Sequence, residues 1–245
     1  MPASTPLTVF EDNIGDAERL IQLTRALLNT RTYRMRKEKR QRVGEALRIP
    51  LKNHDELDCA ESDALFVVMK PGGVATRDHF TEPELRPLLR QSVVAIAAAI
   101  ESYVAEKACC YIAEALKATP QPARLLSMPL TLEDALLLEH YERRGWGHRK
   151  LIKAHLEREA SASSRKIGEV FSTVGRKGFW PKVDGRRKVT KGTSEKQLDE
   201  LAERRNRIAH SGDRVGRGRA QLDVSEVDAH FGNAKSIVEA LDAVL

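Results

Sequence analysis

The stretch ELRPLLRQSVVAIAAAIESYVAEKACCYIAEALK, residues 84–117, decides the fold. Pro83 and Pro87 sit where a helix entry tolerates a fixed φ, and no glycine or further proline interrupts the run from Leu88 to Ala118. From residue 93 to 104 the run is apolar on nearly every face, the pattern of a helix surrounded by other helices. The spacing therefore predicts a long central core helix. Within it Glu101 precedes Ser102 and Tyr103. A carboxylate at that depth faces a cleft or is paired, because an isolated buried charge costs several kcal/mol.

Outward from this helix the same 3.6-residue period recurs. Thr131, with Glu133 and Asp134 behind it, caps a helix expected to end at Gly145-Trp146-Gly147, and another is expected over 148–160. Residues 161–192 read as a basic loop insertion after a short amphipathic piece, with Phe179 and Trp180 between Arg/Lys clusters. Ser194 and Gln197 form a capping box for the next helix, whose stripe is Leu198, Leu201, Ala202 and Ile208. Gly212 suits its left-handed end. An Arg/Gly turn, GDRVGRGRAQLD, leads to a last helix over 225–245 with Val227, Phe231, Ala234, Val238, Leu241 and Leu245 at helix spacing. On the N-terminal side Leu20, Leu23, Leu27 and Leu28 mark a helix over 16–48, stopped before Pro50. Its second half carries seven basic residues in twelve positions, 31–42. ALFVVM, 64–69, is a short buried element, strand or helix, before a turn at 71–73. The fold class is all-α, divided as an N-terminal helical extension over 1–80 and a helical domain over 81–245.

Composition supports this and closes other classes. The chain has 245 residues, 41% hydrophobic and 31% charged but only 5% aromatic, so it reads as globular and helix-rich. Forty-one Lys and Arg against 35 Asp and Glu give a net +6, which suits a polyanionic partner without demanding one. Cys59 and the adjacent Cys109 and Cys110 have neither metal spacing nor an even disulfide set, which points to a reducing, cytoplasmic setting. The N-terminus lacks a signal-peptide layout, and the longest apolar run, 93–100, is far short of the roughly 20 residues of a membrane span. No phosphate-binding glycine loop, nucleophile elbow or zinc helix occurs. His148 and His155 share a helix face without a third ligand, so neither metal nor cofactor is expected.

The chemistry gathers in ERRNRIAHSGD, 203–213, where Arg205 and Asn206 are followed by His210. Asn206 and His210, four apart, lie on one helical face. With 26 Arg and 7 His in the chain, an Arg and a His five positions apart occur about 0.7 times by chance, and Arg143/His148 is such a pair. Requiring Asn after the Arg, with five Asn in the chain, lowers the expectation to roughly 0.015. The triplet resembles the RNxxxH signature of the HEPN superfamily, and the form R-N-x-x-A-H followed by a small residue looks most like its RiboL-PSP-HEPN branch. The resemblance covers 84–245 and includes Glu101 and Tyr103 on the apolar helix, where such families often carry an acidic residue facing the site.

The resemblance implies a HEPN-like helical bundle and a metal-independent endoribonuclease acting as a homodimer, in which Arg and His of both protomers share one cleft. It implies a toxin or antiviral defence effector, with a cognate antitoxin or sensor as a further partner and no membrane. Its alternative is a non-catalytic HEPN-like module that binds RNA or protein. The residue types suit RNA cleavage: the 2′-hydroxyl attacks the adjacent phosphodiester, an imidazole exchanges protons near neutral pH, and a guanidinium fork clamps phosphate oxygens. His210 is then the acid or base, Arg205 the clamp, Asn206 an orienting group and Glu101 an anchor for Arg205. The basic stretches become RNA-backbone contacts: Arg34, Arg36, Lys37 and Arg40, then Arg176, Lys177, Arg186, Arg187 and Lys188, with Trp180 to stack on a base. A helix-turn-helix DNA reader is disfavoured, because the turn between the last two helices is too long.

Overall fold

The computed structural model describes residues 5–34, 36–61, 66–69, 81–141 and 144–245. In chain order the elements are α1 (Pro6–Leu28), β1 (Arg31–Arg34), α2 (Lys37–Ala46), a 3-10 turn (Leu51–Glu56), β2 (Asp58–Glu61), β3 (Phe66–Met69), α3 (Glu82–Cys110), α4 (Ile112–Lys117), α5 (Ala123–Leu126), α6 (Leu132–Glu139), α7 (Arg144–Glu159), α8 (Ser164–Thr173), α9 (Trp180–Arg187), α10 (Thr193–Ser211), β4 (Arg214–Val215), β5 (Gly218–Arg219) and α11 (Val224–Val244). This is an all-α bundle with two small antiparallel sheets, β1-β2-β3 and the hairpin β4-β5. Among the described residues no helix is long and apolar enough to cross a membrane.

The core helix is where the sequence puts it. In α3, Val93, Ile96, Ala97, Ile100, Tyr103 and Val104 are all fully buried, and burying each large aliphatic chain stabilises the fold by about 1.5–3 kcal/mol. Helices α1, α7, α8, α10 and α11 all pack on α3. The continuous helix expected to residue 117 breaks once, at Tyr111, whose hydroxyl donates to the Leu245 carbonyl at 2.5 Å.

Several expectations are corrected. The helix expected over 16–48 starts ten residues earlier, with Thr5 accepting from the Thr8 N–H, and ends at Leu28. Its buried seam is Phe10, Ile14, Ala17 and Ile21, with Phe10 edge-on to Tyr103 of α3 at 6.0 Å, and not the leucine stripe, of which Leu23 is exposed. Residues 31–34 form a strand because they pair with β2, Arg31 opposite Glu61 and Arg34 opposite Asp58, a partnership local sequence does not encode. ALFVVM supplies β3; the turn expected at 71–73 lies outside the described residues.

The helix boundary expected at Gly145-Trp146-Gly147 is absent, since α7 runs through both glycines. Gly147 is a packing residue: a Cβ there would stand 2.8 Å from Leu138 Cδ2 and 2.9 Å from the Tyr141 ring. His148 is therefore helical, while Arg143 lies outside the described residues. The short amphipathic piece is α8, and the basic loop expected after it is helical over α9. Finally, Ser194 is not the cap of α10. Asp184 of α9 performs that task from outside, accepting from the Gly192 N–H at 2.7 Å and the Ser194 N–H at 3.0 Å.

Candidate active site

Helix α10 is amphipathic, and its inner face, Leu198, Leu201 and Ala202, rests on the bundle. That orientation fixes what its last two turns present. Arg205 is half-buried and leans toward α3, its Nη2 lying 3.8 Å from Glu101 Oε2. Its Nη1 donates to Asn206 Oδ1 at 3.3 Å. Asn206 and His210 are exposed. The structure thus brings Arg205, Asn206 and Glu101 into one contact chain and leaves His210 open on the same helix. Five positions at 3.6 per turn put Arg205 and His210 about 140° apart around α10 and about 7.5 Å apart along it.

Glu101 is half-buried, slightly more so than Arg205. Burial pushes its carboxyl above the ordinary range, while the Arg205 guanidinium and a backbone hydrogen bond at Ala162 pull it back. The contact is long and part-exposed, so it orients the guanidinium more than it stabilises the fold. A held guanidinium of this kind can receive a phosphate on its remaining N–H groups. Tyr103, two residues on from Glu101, is turned away: its hydroxyl donates to Asp242 Oδ1 at 3.2 Å.

Gly212 ends α10 as the sequence predicts, but sequence reading missed the buried cluster just behind it. Asp213 is fully buried between two guanidiniums, with Arg90 Nε at 3.3 Å and Arg204 Nη2 at 3.1 Å from its Oδ2. Arg204 also reaches Glu226 Oε1 at 3.6 Å. Gly212 and Asp213 both take left-handed backbone, φ 60° and 62°. Their N–H groups donate to the Ile208 and Arg207 carbonyls and close the helix just past His210. A signal existed: Arg204 falls three residues after Leu201 and four before Ile208, in the middle of the apolar stripe.

The expected backbone-contact residues are dispersed. Arg34 lies on β1, and Arg36 and Lys37 are exposed at the start of α2, with Arg40 half-buried one turn on. Arg176 pairs with Glu114 at 2.8 Å and covers the Tyr111 ring at 4.4 Å. Trp180 is half-buried with its ring 4.9 Å from that of Phe179. Arg187 is committed to the fold, donating to Ser236, Ser194 and Gln197 at 3.0, 2.7 and 2.9 Å. Lys177, Arg186 and Lys188 are exposed. Because Arg187 touches Ser194 in the first turn of α10, the cluster around it stands about 24 Å along the helix from His210.

A family model described as RiboL-PSP-HEPN matches residues 74–245, a span holding Glu101, Arg205, Asn206, His210 and the Arg90–Asp213–Arg204 cluster. No curated protein and no solved structure matches the chain. With a match over more than half its length, ending on the last residue of the bundle, this chain belongs to the RiboL-PSP-HEPN family and so to the HEPN superfamily.

Proposed function

We propose that the protein is a metal-independent endoribonuclease that cuts single-stranded or looped RNA from a composite site at a homodimer seam. The observation that carries this reading is the last two turns of α10: a guanidinium tethered to Glu101, a carboxamide on it and an open imidazole beyond. The 2′-oxygen attacks phosphorus and gives its proton to one His210. The 5′-oxygen leaves with a proton from another, and the products are a 2′,3′-cyclic phosphate and a free 5′-hydroxyl. Two imidazoles in opposite protonation states are needed at once, and one chain holds a single His210 well round α10 from Arg205. A second protomer supplies the other, so the active unit is a dimer. Arg205 stabilises the charge on the non-bridging oxygens in the transition state.

On this reading the activity is that of a toxin or phage-defence effector in the cytoplasm, restrained by an antitoxin or sensor. Residues 1–80 are an extension whose basic α2 adds backbone contacts. The exposed Lys177, Arg186 and Lys188 touch RNA only well away from the cut. The test is cleavage of single-stranded RNA by purified protein in EDTA. His210→Ala lowers the rate by about 10²–10⁴-fold and Arg205→Ala by about 10²–10³-fold, with melting temperatures unchanged because His210 is exposed and Arg205 half-buried. Undiminished cutting by His210→Ala refutes the assignment. RNA binding with no cleavage by the wild type selects the non-catalytic module instead.

A further inference from the structure

The hairpin β4-β5 begins at Arg214, four residues after His210 and just past the Gly212-Asp213 end of α10. Its six residues, RVGRGR, hold Arg214, Arg217 and Arg219, all exposed. Among the described residues none of the three is paired with a carboxylate, whereas Arg25, Arg176 and Arg205 are each paired, with Asp228, Glu114 and Glu101. The register sets Arg214 directly opposite Arg219. Like charges facing each other across a two-stranded ladder repel, with Cβ atoms roughly 5 Å apart, and destabilise the hairpin. A hairpin of two-residue strands has little stability of its own to set against that.

What holds the arginines together is buried beneath them. Both ends of the hairpin are bolted to the bundle through the Asp213 cluster. The Ala220 N–H donates to the Asp213 carbonyl at 2.8 Å, Arg90 Nη2 to the Ala220 carbonyl at 3.1 Å, and Arg204 Nη2 to the Gln221 carbonyl at 2.5 Å. Gly216 supplies the positive φ, 58°, that its tight turn needs at the first position. Three free guanidiniums are therefore held on a rigid arm one short step from His210, although their mutual repulsion favours dispersing them.

We propose that this hairpin is an anion-binding arm that grips the phosphate backbone of the RNA strand beside His210. The proposal rests on the ribonuclease reading for its substrate, and it places the main backbone contact at the His210 end of α10 rather than at the distant α9 cluster. Phosphate fits because guanidinium forks bind its oxygens in pairs and because adjacent phosphates supply the charge the facing arginines lack.

The experiment measures binding of a uniformly 2′-O-methylated single-stranded RNA, which lacks the nucleophile and cannot be cut, across a salt series. The combined variant Arg214→Ala/Arg217→Ala/Arg219→Ala is compared with wild type and with the matching triple Lys variant. Removing three phosphate contacts flattens the slope of log K against log salt by about 2, at about 0.7 per contact on a single strand. The Lys variant keeps most of the slope. Both melt like wild type, since the side chains are exposed. An unchanged slope in the Ala variant overturns the proposal, as does absence of RNA binding by the wild type. So does a loss confined to polyglutamate, which assigns the arm to an acidic protein. Should wild type bind with the expected slope but cut nothing, the arm stands and the nuclease reading falls. Should it cut, with KM and binding indifferent to the three arginines, the reverse holds.

Discussion

Asp213 shows how much one side chain can decide. It is fully buried, bonded to two guanidiniums that are themselves nearly buried, and it sits where α10 stops and the hairpin starts. Removing the carboxylate leaves the nearly buried Arg90 without its carboxylate and Arg204 with only the part-exposed Glu226. Asp213→Ala is expected to cost about 3–5 kcal/mol, the range for an uncompensated buried charge, and the measurement is urea unfolding followed by circular dichroism. A loss below 1 kcal/mol, on the scale of an ordinary surface substitution, means that the cluster contributes little and that the hairpin is held by its backbone alone. Glu101 behaves differently because it is only half-buried. It aims Arg205, so substituting it should disturb the site more than the fold.

At the scale of elements, α10 is defined by its neighbours as much as by its own residues. Its N-terminus is closed by Asp184 from α9, and its far end by Asp213. Burial acts to push the Asp184 carboxyl up, but hydrogen bonds from Ser194 and Gly192 outweigh it and leave the carboxyl below its ordinary range. A carboxyl lowered by folding contributes stability above its ordinary range and loses it as pH falls through the lowered range. Asp184→Ala is thus expected to cost about 1–2 kcal/mol at neutral pH, the upper part of the range for a lost cap, and to lose less of its remaining stability on acidification than wild type does. Thermal melts at pH 7 and pH 3.5 check both parts, and equal melting temperatures at pH 7 would remove Asp184 from the capping role. The cap escaped sequence reading because Ser194 and Gln197 satisfy the local pattern, while the true acceptor lies ten residues upstream.

Over the whole molecule, what the sequence made legible is what periodicity and short motifs encode. The burial of α3, the end of α10 at Gly212 and the stripe of α11 belong to that class. The seam of α1, the pairing that makes 31–34 a strand, and the close packing at Gly147 each depend on a partner distant in the chain, which no local period reports. The candidate site divides the same way: Arg205, Asn206 and His210 stand out by spacing, but the buried Arg90–Asp213–Arg204 cluster assembles only on folding. That assembly also sets a pH dependence for the entire bundle. His230 of α11 is largely buried beside it, its Nε2 4.0 Å from Glu226 Oε1. Burial pushes its imidazole below the ordinary range; Glu226 and Glu200 oppose the shift and Arg204 adds to it. The unfolded chain therefore takes up a proton, as pH falls through the ordinary histidine range, that the folded chain refuses. Stability from the neutral ring is complete above that range and declines below it, by up to about 1.4 kcal/mol per pH unit until the folded ring also titrates. Wild type is expected to melt at a lower temperature at pH 5.5 than at pH 7.5, and His230→Gln, which keeps a neutral polar group there, to lose distinctly less over the same interval. Parallel losses in the two proteins would move this acid limb to another group, with His155, whose imidazole burial also pushes down, the first to substitute.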